Sequence, residues 1–261
     1  SEDIRLAIRP NTALISVMHV NNEFGTVQPI EEIAALAHER GILFHSDGVQ
    51  APGRIAVDLK ELKPDLYTVS GHKLYAPKGV GALIARKKLT LEPMLAGGRH
   101  EAGRRAGTEN VPGAVAMGAA AQWLSGNRAE EALRLAELRN WLERTICDSV
   151  PDVEINGTEP RVPNTTNVRV KGIEGEALVI ALDLRGFAVS SGAACSSGAV
   201  EPSPALLAIG LSREEAKSSI RISLGRSNTR EQVEQLAHAF RESVEHLRRL
   251  SPVYRRTVVS V

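Results

Sequence analysis

The sequence predicts an α/β fold, with a mostly parallel sheet covered by helices and followed by a smaller α+β domain. In the first part of the chain, apolar runs rich in β-branched residues alternate with a helical pattern, which is the order of elements in a parallel sheet. In the later part, strand patterns and amphipathic helices follow one another less regularly. The 261 residues, 43% of them hydrophobic, suffice for one large domain or two smaller ones.

The elements of the first part follow in order. Residues 1–9 have the pattern of a helix that ends before Pro10. Residues 13–20 are almost continuously apolar, as in a strand buried on both faces. A helix is predicted from Ile30 to Gly41, where glycine provides a left-handed terminator. Further strands are predicted at residues 42–46, 66–69 and 79–85, and right-handed crossovers are expected.

A change of pattern marks the second part. Small residues dominate from residue 111 to about residue 124, and a helix with a leucine-rich stripe follows. Because Ser125, Gly126 and Asn127 interrupt the pattern, we predict a domain boundary near residue 126, with a large domain over residues 1–126 and a small domain over residues 127–261.

The predicted small domain ends in a strongly patterned helix. Strands are predicted at residues 163–170 and 220–224, with a helix at residues 175–184 between them. Thr229 and Gln232 form a capping box that starts the last helix. Its apolar stripe, predicted to pack in the core, is Val233, Leu236, Phe240, Val244 and Leu247.

Charge and cysteine content exclude several classes of protein. The 32 basic and 31 acidic residues leave a net charge of +1, so neither nucleic acid nor an anionic membrane is an expected partner. The two cysteines, Cys147 and Cys195, are too few for a disulfide scaffold, and neither belongs to a Cys-x-x-Cys zinc motif. No apolar run reaches the roughly 18 residues of a membrane span. We therefore predict a cytoplasmic protein without a metal site.

Polar side chains follow three of the predicted parallel strands. The carboxyl ends of such strands converge on one cleft, where α/β proteins bind their ligands. The side chains placed there are, in chain order, Asn22, Asp47 with Gln50, and Ser70 with His72 and Lys73.

These residue types suit a lysine that forms a Schiff base with a carbonyl cofactor. Such a cofactor needs a carboxylate to keep its pyridine nitrogen protonated, which Asp47 would provide. It also needs donors for its phenolate oxygen, from Gln50 and Asn22, and for its phosphate, from Ser70 and His72. Each residue also has a plainer interpretation, since Asp47 can simply start a turn and His72 can simply be a loop histidine.

The loop at residues 97–110 is rich in glycine and arginine. Arg104 and Arg105 could hold an anion there or could form a solvated surface, and the sequence leaves both interpretations open.

Five motifs occur in an order and at spacings that match a known family. They are MHVNNEFG at residues 18–25, HSDGVQ at 45–50, SGHK at 70–73, RAGTEN at 105–110 and SSGAACSSG at 190–198. In these motifs the chain resembles the cysteine desulfurases over essentially its whole length. The resemblance implies fold type I of the pyridoxal-phosphate enzymes, an α-β-α sandwich with a smaller C-terminal domain.

The resemblance also implies a role for each residue of the cofactor site. Lys73 corresponds to the Schiff-base lysine and Asp47 to the partner of the pyridine nitrogen. Gln50 corresponds to the contact of the phenolate oxygen, and Asn22 to a contact near that oxygen and the substrate. The residues that correspond to phosphate ligands are Ser70, His72 and, for the neighbouring subunit's phosphate, Thr108. A homodimer is therefore implied.

Two further residues carry the implied chemistry. Arg221 corresponds to the arginine that binds the substrate carboxylate, a task that suits its planar two-pronged guanidinium. Cys195 corresponds to the nucleophile, and the glycine, serine and alanine residues around it leave no bulky neighbour to bury it. Cys147, at the end of an amphipathic helix, is predicted to be a small buried side chain.

The implied reaction is the conversion of L-cysteine to L-alanine, with sulfur transferred to Cys195 as a persulfide. The implied acceptors are iron–sulfur scaffold or sulfur-carrier proteins. Two alternatives stay open: another pyridoxal-phosphate enzyme of the same fold, such as an aminotransferase or a carbon–sulfur lyase, and a truncated, non-catalytic interaction module.

Members of the family carry a further segment ahead of the part that corresponds to residue 1. It contains a Gly-Ala-Thr phosphate loop and a histidine that stacks on the cofactor ring. We therefore expect a large domain that is incomplete in this chain. We also expect the chain alone to bind pyridoxal phosphate weakly or not at all, unless another polypeptide supplies the missing segment.

Overall fold

The computed structural model describes residues 1–191, 201–252 and 254. The chain divides into two compact units, one formed by Ser1–Val20 and Gln28–Ala129 and the other by Asn21–Val27 and Glu130–Val261. The segment Asn21–Val27, which the sequence prediction placed in the large domain, thus belongs to the second unit. The domain limits 1–126 and 127–261 remain a prediction.

A four-stranded sheet forms the centre of the first unit. Its strands lie in the order β1-β2-β3-β4, and β1, β2 and β3 are parallel. The sheet is therefore mostly parallel, as predicted. The fourth strand pairs antiparallel with the third, because residues 71–80 form a connection too short for a parallel crossover. The strands are β1 Leu14–Met18, β2 Leu43–Asp47, β3 Leu66–Ser70 and β4 Gly81–Ala85.

Helix α2, Ile30–Glu39, packs its apolar face against this sheet. Ile33 and Ala37 of the helix are buried with Ile15 and Phe44 of the strands, and each large apolar side chain buried in this way contributes roughly 1.5–3 kcal/mol. Gly41 follows with φ +67°, so the predicted left-handed terminator is confirmed. The other short helices of this unit are α1 Glu2–Ala7 and α3 Leu59–Leu62, with 3-10 turns at Gly71–Leu74 and His100–Gly103.

A single long helix, α4, runs from Val111 to Ser149. The predicted interruption at Ser125–Asn127 is therefore wrong. A glycine inside a helix costs only about 1 kcal/mol, and the Asn127 side chain donates a hydrogen bond of 2.7 Å to the Trp123 carbonyl one turn earlier, within the helix.

Among its described residues, the second unit contains a three-stranded antiparallel sheet and four helices beyond α4. Strands β5 Val153–Ile155, β6 Thr165–Val170 and β7 Ser219–Ser223 lie in the order β5-β6-β7. The predictions for β6, β7 and α5 are confirmed, whereas β5, α6 and α7 were not predicted. The helices are α5 Gly175–Asp183, α6 Pro204–Ala208, α7 Arg213–Lys217 and α8 Arg230–Leu250.

Helix α8 begins at the predicted capping box, in which the Thr229 and Gln232 side chains each accept from the other residue's backbone N–H. Its predicted stripe packs into the core of the second unit, with four members buried and Leu247 partly buried. None of the helices among the described residues is long and apolar enough to cross a bilayer.

Candidate functional site

The turn at the end of β2 carries Asp47 and Gln50. The Asp47 carboxylate Oδ1 accepts a hydrogen bond of 2.9 Å from the Val49 N–H. The Asp47 carbonyl accepts one of 2.8 Å from the His19 N–H, and the Gly48 N–H donates one of 2.9 Å to the Thr68 carbonyl. The turn is therefore held on both sides, by the end of β1 and by β3, and the Asp47 carboxylate has a fixed orientation.

The turn at the end of β3 carries Ser70, His72 and Lys73. Ser70 is the last residue of the strand, and the 3-10 turn Gly71–Leu74 follows directly. The Ser70 Oγ and the His72 Nδ1 share a hydrogen bond of 2.8 Å. His72 is exposed and Lys73 is half-buried. Tyr75 ends the turn with φ +68°, a left-handed conformation that reverses the chain.

These two turns lie at the same edge of one sheet. Strands β2 and β3 are parallel, and Asp47 pairs with Thr68, two residues before Ser70. The structure thus brings together the turn that carries Asp47 and Gln50 and the turn that carries Lys73. Thr108 is exposed in the loop ahead of α4, together with Arg104 and Arg105.

In the second unit the structure brings Asn22 and Arg221 together. Asn21 Oδ1 accepts from the N–H groups of Glu23 and Phe24, at 2.8 and 3.1 Å, which folds the segment into a tight turn with Asn22 near its tip. Arg221, in β7, donates from Nη1 to the Asn22 carbonyl at 2.8 Å.

The guanidinium of Arg221 has further capacity to bind. Its Nε is buried and, among the described residues, has no hydrogen-bond partner. Leaving a buried donor unpaired costs roughly 1–3 kcal/mol. Arg221 as a whole is only partly buried, so an anionic ligand can approach its guanidinium, and carboxylates accept charge-assisted hydrogen bonds from guanidinium N–H groups.

Cys195 lies outside the described residues, so its predicted role is not part of this geometry. Cys147, which was predicted to be buried, is exposed. It lies on the outer side of α4, between the buried Ile146 and the exposed Asp148. Partial burial of the sulfur, and secondly the carboxylates of Glu143 and Asp148, raise the pKa of its thiol, which favours the less reactive protonated form.

Two buried residues next to the Asp47 turn, His19 and Tyr67, were not predicted to take part in the site. The Nδ1 of His19 and the hydroxyl of Tyr67 share a hydrogen bond of 2.8 Å. Burial lowers the pKa of His19 to about 4. Burial, and secondly the charge of Asp47, raise the pKa of Tyr67. Both groups are therefore neutral at pH 7. His19 lies inside the first motif, but no local pattern marks Tyr67.

Comparison with known proteins places the chain in a family. The model of the aminotransferase class-V family matches residues 1–236. A cysteine desulfurase of Trichormus azollae is 47% identical over 253 residues, which cover 96% of this chain and 63% of that protein. The chain therefore belongs to the aminotransferase class-V family, whose members here are pyridoxal-phosphate enzymes.

Solved structures agree with this assignment. The structure of a NifS-like protein from Rickettsia africae is 35% identical, with a TM-score of 0.85, over 94% of this chain and 65% of that one. A structure of SspA in complex with cysteine is 36% identical, with a TM-score of 0.72, over 85% of this chain and 62% of that one. The predicted fold class is thus confirmed. The chain spans about 63% of the length of the curated relatives it matches.

Proposed function

We propose that the chain acts as a pyridoxal-phosphate-dependent cysteine desulfurase, which converts L-cysteine to L-alanine and transfers the sulfur to Cys195. The observation that carries this proposal is the guanidinium of Arg221, whose buried Nε lacks a partner among the described residues. It suits the α-carboxylate of an amino acid. Two similarities add support: a relative named as a cysteine desulfurase, and a similar structure described as a complex with cysteine.

The residues of the first unit fit the cofactor. Asp47, oriented by the Val49 N–H, would hold the pyridine nitrogen, and Gln50 the phenolate oxygen. Ser70 and His72, already hydrogen-bonded to each other, would donate to the phosphate, and Lys73 would bond to the carbonyl carbon. When bound, pyridoxal phosphate supplies a protonated ring that accepts the electron pair released at the α-carbon of the substrate.

The remaining assignments concern the other predicted ligands. Asn22, whose carbonyl accepts from Arg221, would contact the substrate and the cofactor oxygen through its side chain. Thr108 is exposed, which is a requirement for a residue that contacts the phosphate bound by a second subunit. The proposal therefore includes a homodimer.

The chemistry assigns three tasks to the protein. Arg221 binds the carboxylate of cysteine and so fixes its orientation. The Lys73 amine removes the proton from the α-carbon and later returns it, as a general base and acid. The Cys195 thiolate attacks the substrate sulfur: a sulfur–sulfur bond forms while the carbon–sulfur bond breaks, and protonation of the carbon that keeps the electron pair leads to alanine.

The persulfide on Cys195 would then pass its outer sulfur to an acceptor. The residues next to Cys195 in the sequence are glycine, serine and alanine, so none of these sequence neighbours has a bulky side chain that would hinder an acceptor thiol. We propose a sulfur-carrier or iron–sulfur scaffold protein as this acceptor, and the cytoplasm as the compartment, since a free nucleophilic thiol requires a reducing environment.

The test is incubation of the protein, as its gene encodes it, with pyridoxal phosphate and L-cysteine. Alanine and a persulfide on Cys195 should form together, and Cys195→Ser should abolish both. Cys147→Ser is the matched control and should leave both unchanged. If Cys195→Ser still releases sulfide from cysteine, the protein is a carbon–sulfur lyase. If the unaltered protein binds pyridoxal phosphate but forms neither product, the catalytic proposal is wrong.

A further inference from the structure

We propose that Tyr67 and His19 are positioning residues for the Asp47 carboxylate, and that Gly48 is required because the Tyr67 ring occupies the space of a side chain at position 48. The proposal deepens the proposed function, since it concerns the residue assigned to the cofactor ring. It rests on three independent observations within the first unit: a steric one, a hydrogen-bonding one and an electrostatic one.

The steric observation concerns Gly48. A β-carbon built on this residue would lie 2.0 Å from the Cζ of Tyr67, 2.1 Å from its Cε1 and 2.3 Å from its hydroxyl oxygen. Real β-carbons do not approach other heavy atoms within 3.0 Å. Tyr67 is only 1% exposed, so its ring has no open space into which it could retreat. A tyrosine at position 67 therefore requires a glycine at position 48.

The hydrogen-bonding observation explains why the ring lies there. Strands β1, β2 and β3 are neighbours in that order, and Gly48 follows β2 directly. The Tyr67 side chain, from β3, crosses Gly48 and reaches His19, which follows β1, at 2.8 Å. The hydrogen bond between the Tyr67 and His19 side chains thus connects the ends of β1 and β3 across the end of β2. Only a glycine at position 48, directly after β2, leaves room for the Tyr67 ring.

The same three strand ends are joined by backbone hydrogen bonds. His19 donates to the Asp47 carbonyl, and Gly48 donates to the Thr68 carbonyl. The peptide that joins Asp47 to Gly48 is therefore hydrogen-bonded to the ends of β1 and β3, and the hydrogen bond between His19 and Tyr67 connects those two ends. Any shift of the Tyr67 ring or of His19 would move this peptide and, with it, the Asp47 carboxylate.

The electrostatic observation concerns charge. The Asp47 carboxylate lies close enough to Tyr67 to disfavour ionisation of its hydroxyl, and burial keeps the His19 imidazole neutral. Neither His19 nor Tyr67 therefore carries a charge that would compete with the protonated nitrogen of a pyridine ring for the Asp47 carboxylate.

The first experiment removes only the hydroxyl, with Tyr67→Phe. The Val49 N–H donates to the Asp47 carboxylate, so its amide resonance and hydrogen-exchange rate report the position of that group. The N–H of Phe44, which lies in β2 of the same sheet and donates to the Asp65 carboxylate, is the internal reference. We expect the protection of Val49 to fall about fivefold relative to Phe44, as the loss of one hydrogen bond implies. Equal changes at both amides would overturn the proposal, because they would show only a global loss of stability.

The second experiment tests the pairing of residues 48 and 67. Gly48→Ala should lower the melting temperature strongly, and the added Tyr67→Leu, which removes the clashing ring atoms, should restore much of it. Gly126→Ala is the matched control: its β-carbon meets no atom within 4 Å in α4, so it should be neutral or stabilising. A stable Gly48→Ala variant, or a double variant as damaged as Gly48→Ala, would contradict the steric argument.

The third measurement connects positioning with the cofactor. Tyr67→Phe should weaken the binding of pyridoxal phosphate about fivefold at unchanged stoichiometry. Unchanged affinity despite an altered Val49 resonance would overturn the role in cofactor binding. If the unaltered protein does not bind the cofactor at all, the proposed function fails, while the Val49 and Gly48 experiments still decide whether Tyr67 and His19 position Asp47.

Discussion

Arg221 donates one guanidinium N–H group to the Asn22 carbonyl and buries another without a partner among the described residues. A guanidinium can do both because its donors are spread over a rigid plane, whereas a lysine ammonium concentrates its donors at one point. The residue is therefore suited to hold a backbone turn and a ligand carboxylate at the same time.

This arrangement predicts the effect of Arg221→Lys. The ammonium cannot reach both partners, so we expect the KM for cysteine to rise about 10- to 100-fold, the equivalent of one charge-assisted hydrogen bond. Steady-state kinetics measure the effect. Arg5→Lys, at an exposed position in α1, is the control and should leave KM unchanged. An unchanged KM in Arg221→Lys would show that this arginine does not bind the substrate.

His19 makes the stability of the first unit depend on pH. Its pKa is lowered by burial to about 4 in the folded protein, against 6.5 for an unburied histidine. Between these values the unfolded chain binds the proton that the folded chain excludes. Stability is therefore complete above pH 6.5 and falls as the pH drops from 6.5 towards 4.

We expect the free energy of unfolding to lose about 2–3 kcal/mol through His19 between pH 7 and pH 4.5. Urea unfolding at the two pH values measures this loss. His19→Gln should remove it and flatten the pH dependence, while His246→Gln, at an exposed position in α8, should not. A His19→Gln variant with the pH dependence of the unaltered protein would show that His19 is not the group responsible.

At the scale of elements, Asp65 ties helix α2 to two strands. This buried residue, just before β3, accepts from the Phe44 N–H of β2 at 2.8 Å. Its carboxylate also lies 3.1 Å from the His38 Nε2 of α2 and 2.9 Å from Arg86 Nη1, which follows β4. One carboxylate therefore serves three elements of the first unit.

Asp65→Ala is expected to destabilise the protein by about 3 kcal/mol, because it leaves a buried N–H and two cationic or polar partners unsatisfied. Urea unfolding at pH 7 provides the measurement. Asp58→Ala, which removes only the N-cap of the four-residue helix α3, should cost no more than about 1 kcal/mol. Equal losses for the two variants would show that the Asp65 contacts add nothing beyond a single cap.

Local patterns predicted the elements whose own sequence determines them. The runs of β-branched residues in β1 and β2 and the capping box of α8 act within a few residues of the chain, so the sequence shows them directly. The direction of β4 follows from a connection length, and the continuity of α4 follows from the modest cost of Gly126 in a helix. Both depend on comparing free energies, which a pattern does not provide.

The candidate site divides in the same way. Lys73 and Asp47 could be predicted because they belong to motifs of the sequence, and Arg221 because its position corresponds to an arginine of the resembled family. Tyr67 could not, because its contact with His19 joins residues 48 positions apart and depends on the missing β-carbon of Gly48. Such a pair becomes visible only once the strand register is known.

For the whole molecule, the family assignment covers both units, since the aminotransferase class-V model matches residues 1–236. The first unit carries the other residues assigned to the cofactor. The second carries Asn22, assigned to the cofactor oxygen and the substrate, and Arg221, assigned to the substrate carboxylate. Lys73, in the first unit, is the residue proposed to bond to pyridoxal phosphate.

The most direct test is to incubate the protein with excess pyridoxal phosphate, reduce it with borohydride, and locate the modified lysine by peptide mass spectrometry. We expect a pyridoxyl group on Lys73, abolished in Lys73→Ala and retained in Lys78→Arg, a neighbouring exposed control. Reduction traps the bond even when the cofactor binds weakly. A modification on Lys78 or elsewhere, with Lys73 unmodified, would contradict the role proposed for Lys73.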